Sequence, residues 1–136
     1  MLIVTTQQWS AISAHLTQHL PNEACGLLAG RKGRIEKIYL VTNIEQSPVR
    51  YEMDPNELLA AILEMEQADW ELLGIFHSHP AGPPTPSPTD IAEAYYPDSA
   101  YLICSPDADN NWQGRAFEIR DSQAHEIVFK IESSNG

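Results

Sequence analysis

Two cysteines, eight basic side chains and no long apolar run set the first limits on this chain of 136 residues. Against those eight Lys and Arg stand 19 Asp and Glu, for a net charge of -11 at pH 7. So few cations exclude a protein that tracks nucleic-acid phosphates, which needs a basic face. Cys25 and Cys104 are too few for a disulfide framework. Each lies in an apolar run, ACGLLAG or AYLICS, where a thiol behaves as a small hydrophobe, so both are expected to be free. No segment approaches the roughly 20 apolar residues that span a bilayer. The start, MLIVTTQQW, carries no basic stretch and no small-residue cleavage site of the kind a signal peptide shows. The expectation is a cytoplasmic protein that binds neither membrane nor nucleic acid. Without repeats, low-complexity tracts or a dividing linker, it reads as one domain over residues 1–136.

What is present alternates between helical and strand periodicity. Trp9, Ile12, Leu16 and Leu20 recur at helical spacing after a cap at Thr5 or Thr6, and Pro21 ends that helix. ACGLLAG and RIEKIYLVTN read as a hairpin turning at Gly30 to Gly33, and VRYEM as a further short strand. Asp54, Pro55 and Glu57 spell a helix start with capping-box spacing, ahead of an apolar face on Leu58, Leu59, Ile62 and Leu63. ELLGIFHSH is continuously apolar and is expected near the centre of the sheet. SPTDIAEAYY repeats the helix-start grammar, and AYLICS, WQGRAFEIR and HEIVFKI read as three more strands. The fold class is α/β, a mixed central sheet flanked by about three helices.

One stretch concentrates the chemistry. GIFHSHPAGPPTPSPTD, Gly74 to Asp90, places two histidines one residue apart at the end of a strand, then a loop holding five of the chain's ten prolines. Residues two apart in a strand face the same side, so His77 and His79 can reach one ion. A catalytic zinc site takes three protein ligands and keeps a fourth position open. Asp90, in the first turn of the following helix, is a candidate third ligand, although the same carboxylate and Ser87 also suit a helix cap. Glu23, in PNEACGLLAG, is a candidate proton carrier, although its spacing alone leaves it equally a solvated loop glutamate.

Glu23, then His77-x-His79-Pro80, then Ser87-x-x-Asp90, resembles the JAMM motif of the MPN+ family of zinc metalloproteases, and the likeness extends over nearly the whole chain. The resemblance implies a compact MPN fold in which His77, His79 and Asp90 bind Zn2+. It further implies that Glu23 takes a proton from water and passes it to the leaving amine, and that Ser87 hydrogen-bonds the oxyanion. Members cleave amide or isopeptide bonds after the Gly-Gly tail of ubiquitin or ubiquitin-like proteins. The stretch from Asp90 to Tyr101 is too short to hold the insertions of the eukaryotic members. The chain is therefore similar to the compact prokaryotic ones, whose partners are small ubiquitin-like sulfur-carrier proteins. A zinc hydrolase on another amide or peptide, and a non-catalytic MPN scaffold, stay open beside this reading.

Other residues are set aside. His15 and His19 have i, i+4 spacing but lack the accompanying glutamate of a helical zinc motif, and read as a polar helix face. His125 is expected to be exposed by alternation. Trp9, Trp70 and Trp112 read as core or core-edge residues. Cys104 lies in an apolar strand with no base nearby in sequence. Asn43, Arg50 and Tyr51 are candidates to line a substrate groove.

Overall fold

The computed structural model describes residues 1–133, so the expected domain span of 1–136 reaches three residues past them. Its elements run β1 (Leu2–Thr5), α1 (Thr6–Gln18), β2 (Cys25–Arg31), β3 (Arg34–Val41), α2 (Pro55–Ala68), β4 (Glu71–Ser78), α3 (Pro88–Ala92), β5 (Ala100–Pro106), β6 (Trp112–Arg120), β7 (Gln123–Ile127) and β8 (Phe129–Glu132). The eight strands form one sheet in the order β7-β6-β5-β4-β2-β3-β1-β8. It is mixed: β4 runs parallel to β5 and β1 parallel to β3 and β8, while β2 is antiparallel to both β3 and β4. Only Val128 separates β7 from β8, the two ends of that order. The sheet therefore has to curl until its ends approach each other.

Each face of the sheet carries its own core. On one, Ile12 and Leu16 of α1 pack with Leu28, Phe76, Leu102 and Cys104. On the other, Ala61 and Met65 of α2 pack with Cys25, Leu27, Ile75 and Ile103. The two thiols are free and buried on opposite faces. β4 is apolar throughout because it is paired on both edges and covered on both sides. Gly26 has no alternative, since a Cβ there would collide with the Phe76 ring and the Tyr39 carbonyl. A bulge opposite Ala29 and Gly30 resets the parity of β3, so Ile35 and Ile38, three apart, face the same core. This accounts for the imperfect alternation in the sequence.

Several local readings need correction. LIVT forms β1, a strand too short to register in the hydrophobic pattern, and it hands over directly to α1 through Thr5, whose side chain builds a capping box with Gln8. VRYEM is not a strand; it keeps a single bridge, Met53 to Asn43. HEIVFKI is two strands on opposite edges. At the start of α2 the Asp54 carboxylate accepts from the Asn56 and Glu57 N–H groups, but Glu57 does not complete a box: its carboxylate accepts from Thr42 N–H instead. Leu20 lies past the end of α1 and is half exposed. No helix among the described residues is long and apolar enough to cross a membrane.

Candidate metal centre

The β2–β4 ladder builds the site. Cys25 pairs with His77, and the ladder continues through Ser78 N–H, which donates to Ala24 O at 3.0 Å. Directly opposed residues of an antiparallel pair share a face. Glu23, His77 and His79 accordingly point to the α2 side, and Ser78 points to the other. His79 leaves the strand but keeps its backbone fixed, donating its N–H to Cys104 O at 2.8 Å.

The proline-rich loop then returns the chain to the histidines. Ser87 caps α3: its Oγ accepts Asp90 N–H at 3.0 Å, while its own N–H donates to Asp90 Oδ2 at 2.8 Å. Capping and ligand readings of Asp90 are thus one arrangement, because the box that starts the helix aims the carboxylate. His77 Nε2 lies 3.2 Å from Asp90 Oδ1 and 3.0 Å from His79 Nε2. His79 Nε2 is 3.0 Å from Asp90 Oδ2.

The donor set fits a cation. His79 Nδ1 donates to Pro83 O at 2.8 Å, which leaves Nε2 of the neutral ring as a lone pair aimed at the centre, the usual backing of a histidine ligand. His77 Nδ1 is buried with no hydrogen-bond partner among the described residues, so the polar contacts of that ring are all on Nε2. Ligand bonds of about 2.0–2.1 Å arranged tetrahedrally hold their atoms about 3.3 Å apart. Here the two histidine nitrogens are 3.0 Å apart, and each has a different Asp90 oxygen at 3.0–3.2 Å. With one atom per residue, the three lie within 4.8 Å of one another. Among the described residues these three form the one His/Cys/Asp/Glu group able to hold a metal ion. Two nitrogens and one carboxylate suit zinc.

Charge states follow from this packing. Burial drives the His77 imidazole toward its neutral form despite Asp90 beside it. Burial also opposes the Asp90 carboxylate, but the adjoining His77 and His79 rings and the Ser87 N–H outweigh it and hold the carboxyl well below the usual range. Burial pushes Glu23 up to about 7, with His79 pulling it down and Asp90 pushing it further up. A carboxyl poised near neutrality can both accept and return a proton.

Tyr51 closes the centre from one side. Its ring stacks on His77 with centroids 4.4 Å apart and planes 24° apart. Beyond it lies a cavity of about 420 Å³ lined by Leu27, Arg50, Tyr51, Met53, Ile75 and Tyr101 among others, with Glu45, Glu52 and Glu93 also in its wall.

Residues 5–120 match the family described as prokaryotic homologs of the JAB domain. The chain belongs to this family. It is 36% identical over 128 residues to a CysO-cysteine peptidase from Mycobacterium tuberculosis, covering 93% of this chain and 88% of the relative. With a desampylase from Pyrococcus furiosus it shares 49% identity over 69 residues, and there the chain spans about half the relative, 49%. Among solved structures, a protein from Desulfitobacterium hafniense superposes with a TM-score of 0.86 at 38% identity, over 98% of this chain and 94% of that one. A JAB1/MPN domain protein from Archaeoglobus fulgidus, at 17% identity and a TM-score of 0.60 over 98% of this chain and all of the other, shares the fold.

The structure brings together His77, His79 and Asp90, with Ser87 attached through the helix cap and Glu23 on the same sheet face. Of the three residues considered for a substrate groove, Arg50 and Tyr51 line this cavity, whereas Asn43 is buried and does not. His15 departs from the polar-face reading. It is buried, donates from Nε2 to Cys25 O at 3.0 Å and meets the Phe76 ring edge-on. His125 is exposed, and the three tryptophans border the two cores. Tyr51's contact with His77 carried no sequence signal, since it depends on how the 42–54 loop folds back.

Proposed function

We propose that this chain is a zinc-dependent peptidase that hydrolyses the amide bond after the C-terminal Gly-Gly of a ubiquitin-like or sulfur-carrier protein. The observation that carries the reading is the convergence of His77, His79 and Asp90, whose ligand atoms, one per residue, lie within 4.8 Å of one another. Relatives named as a CysO-cysteine peptidase, a desampylase and a probable TtuB-protein conjugate cleaving protease support the substrate class. Zinc, held by His77, His79 and Asp90, supplies Lewis-acid polarisation of the scissile carbonyl and lowers the pKa of the attacking water.

The chain's own residues do the rest. Glu23, with a pKa raised to about 7, takes the proton of the attacking water and hands it to the departing amine, so that the nucleophile does not gather positive charge and the amine does not leave as an anion. Ser87 Oγ accepts from Asp90 N–H, so its hydroxyl hydrogen remains to donate to the oxygen that becomes negative. Glycines at the end of the substrate let its backbone approach the buried histidines. The cavity past Tyr51 offers room for the bulkier residues ahead of them. A cytoplasmic setting belongs to this proposal, and the free thiols at Cys25 and Cys104 are compatible with it.

The test is cleavage of a ubiquitin-like carrier extended past its Gly-Gly end, followed by intact mass. Zinc-loaded protein is expected to release a carrier ending in Gly-Gly. Cleavage elsewhere, or equal cleavage when the penultimate glycine is replaced by valine, contradicts the assignment.

A further inference from the structure

Asn43 is a buried polar side chain outside the metal centre, and all four of its amide valences are filled. Nδ2 donates to Glu23 O at 3.0 Å and to Arg50 O at 3.1 Å. Oδ1 accepts from Glu45 N–H at 3.0 Å and from Glu52 N–H at 3.0 Å. Both Nδ2 partners are carbonyls and both Oδ1 partners are N–H groups, so the amide has one orientation; flipped, it would oppose all four.

The partners are the informative part. Arg50 and Glu52 flank Tyr51, whose ring stacks on His77, so Asn43 grips the backbone on either side of that residue. Besides these and the Glu45 N–H, its remaining partner is the carbonyl of Glu23. The Glu23 N–H also ends in this loop, on Ser47 O at 2.8 Å. The next peptide is fixed instead to β4, where Ala24 N–H donates to Ser78 Oγ at 2.9 Å and Ala24 O accepts from Ser78 N–H.

We propose that Asn43 is a positioning residue that registers Glu23 with Tyr51 above His77, one buried amide joining the strand end that carries the proton carrier to the loop that walls the metal centre. This rests on the role assigned to Glu23 above. A residue that only folded the loop would affect stability and metal retention. One that sets Glu23 acts on turnover through Glu23. Asn43→Asp separates the two, because it keeps an acceptor for the Glu45 and Glu52 N–H groups and loses the donors to Glu23 and Arg50. Asn43→Ser, which loses the same donors without adding a carboxylate charge, controls for that charge.

The experiment is a double-mutant cycle on zinc-loaded wild type, Asn43→Asp, Glu23→Gln and the double variant. The probe is the aminocoumarin amide of a ubiquitin-like protein ending in Gly-Gly, with zinc content measured beside kcat and KM. Asn43→Asp is expected to keep its zinc and its KM within ~2-fold while kcat falls at least ~10-fold; added to Glu23→Gln, it lowers kcat less than ~2-fold further. The same loss in both backgrounds, with Glu23→Gln itself crippled, overturns the role of Asn43 alone. Near-wild-type turnover by Glu23→Gln overturns the reading of Glu23 and the inference with it. Asn43→Ser takes its place in the cycle where Asn43→Asp does not fold. Wild-type protein gives a test without substitution: the Asn43 side-chain NH2 protons are expected to exchange at least ~10²-fold more slowly than those of exposed Asn56. Equal exchange overturns the proposal.

Discussion

Ser87 and Asp90 cap each other, the Ser87 N–H on Asp90 Oδ2 at 2.8 Å and the Asp90 N–H on Ser87 Oγ at 3.0 Å. The same carboxylate faces both histidines. A local helix-start device thereby aims the carboxylate proposed as a metal ligand, and the serine that aims it keeps a hydroxyl hydrogen for the oxyanion role proposed above. Ser87→Ala is expected to cost about 1 kcal/mol of stability, the usual worth of an N-cap. It should also lower kcat by about 10²–10³-fold, the scale of losing one oxyanion donor. Thermal melts beside steady-state kinetics check both; a loss confined to stability removes Ser87 from the chemistry.

Tyr51 covers His77, which is fully buried. Tyr51→Ala is expected to speed zinc loss to a chelator, and Tyr51→Phe to leave it near the wild-type rate, because the stacked ring rather than the hydroxyl does the covering. Stopped-flow with a chromogenic chelator reads the rate. Equal release by all three proteins shows that the ring does not limit access.

How much of this was legible in the sequence depends on the range of each contact. His77 and His79 could be paired because strand periodicity alone puts them on one face, and Asp90 because a helix-start pattern is written in four adjacent residues. Glu23 was a different case. Its place opposite His79 follows from the β2–β4 register, which joins segments some 50 residues apart in sequence (Cys25 with His77), so the residues alone make it a candidate and only the family likeness sets it beside the histidines. Asn43 and Tyr51 depend on a loop that folds back through a side-chain amide, and no periodicity encodes that. His15 was misread because a helical-face pattern counts histidine as polar, whereas here a carbonyl of β2 satisfies its Nε2 inside the core. VRYEM has strand composition but lacks a strand's ladder, since Asn43 takes the backbone groups that a ladder would use.

Buried His15 gives stability a pH dependence. Burial lowers its pKa below 6.5, partly offset by the hydrogen bond to Cys25 O and reinforced by His19. Between the lowered value and 6.5 the unfolded chain binds more protons than the folded one. The contribution of neutral His15 is therefore complete above the unfolded pKa and is lost as pH falls through the folded one. Urea midpoints at about pH 7.5 and about pH 5.5 are expected to differ more for wild type than for His15→Gln. An equal drop in both proteins contradicts this.

The net charge of -11 and the three glutamates in the cavity wall favour a partner with a basic surface near its tail. Binding of a Gly-Gly-tailed carrier to Glu23→Gln, which on the proposed role of Glu23 is expected to hold substrate without turning it over, should weaken several-fold between about 50 mM and about 500 mM salt. Affinity independent of salt contradicts an electrostatic contribution.

Metal content tests the central claim most directly. Wild type and Asp90→Ala, purified without chelator and then given zinc, are dialysed and assayed by mass spectrometry of the metal. The account predicts about one zinc per chain in wild type and almost none in Asp90→Ala, with both proteins folded. A wild-type chain that takes up no zinc, or an Asp90→Ala chain that keeps it fully, contradicts the account.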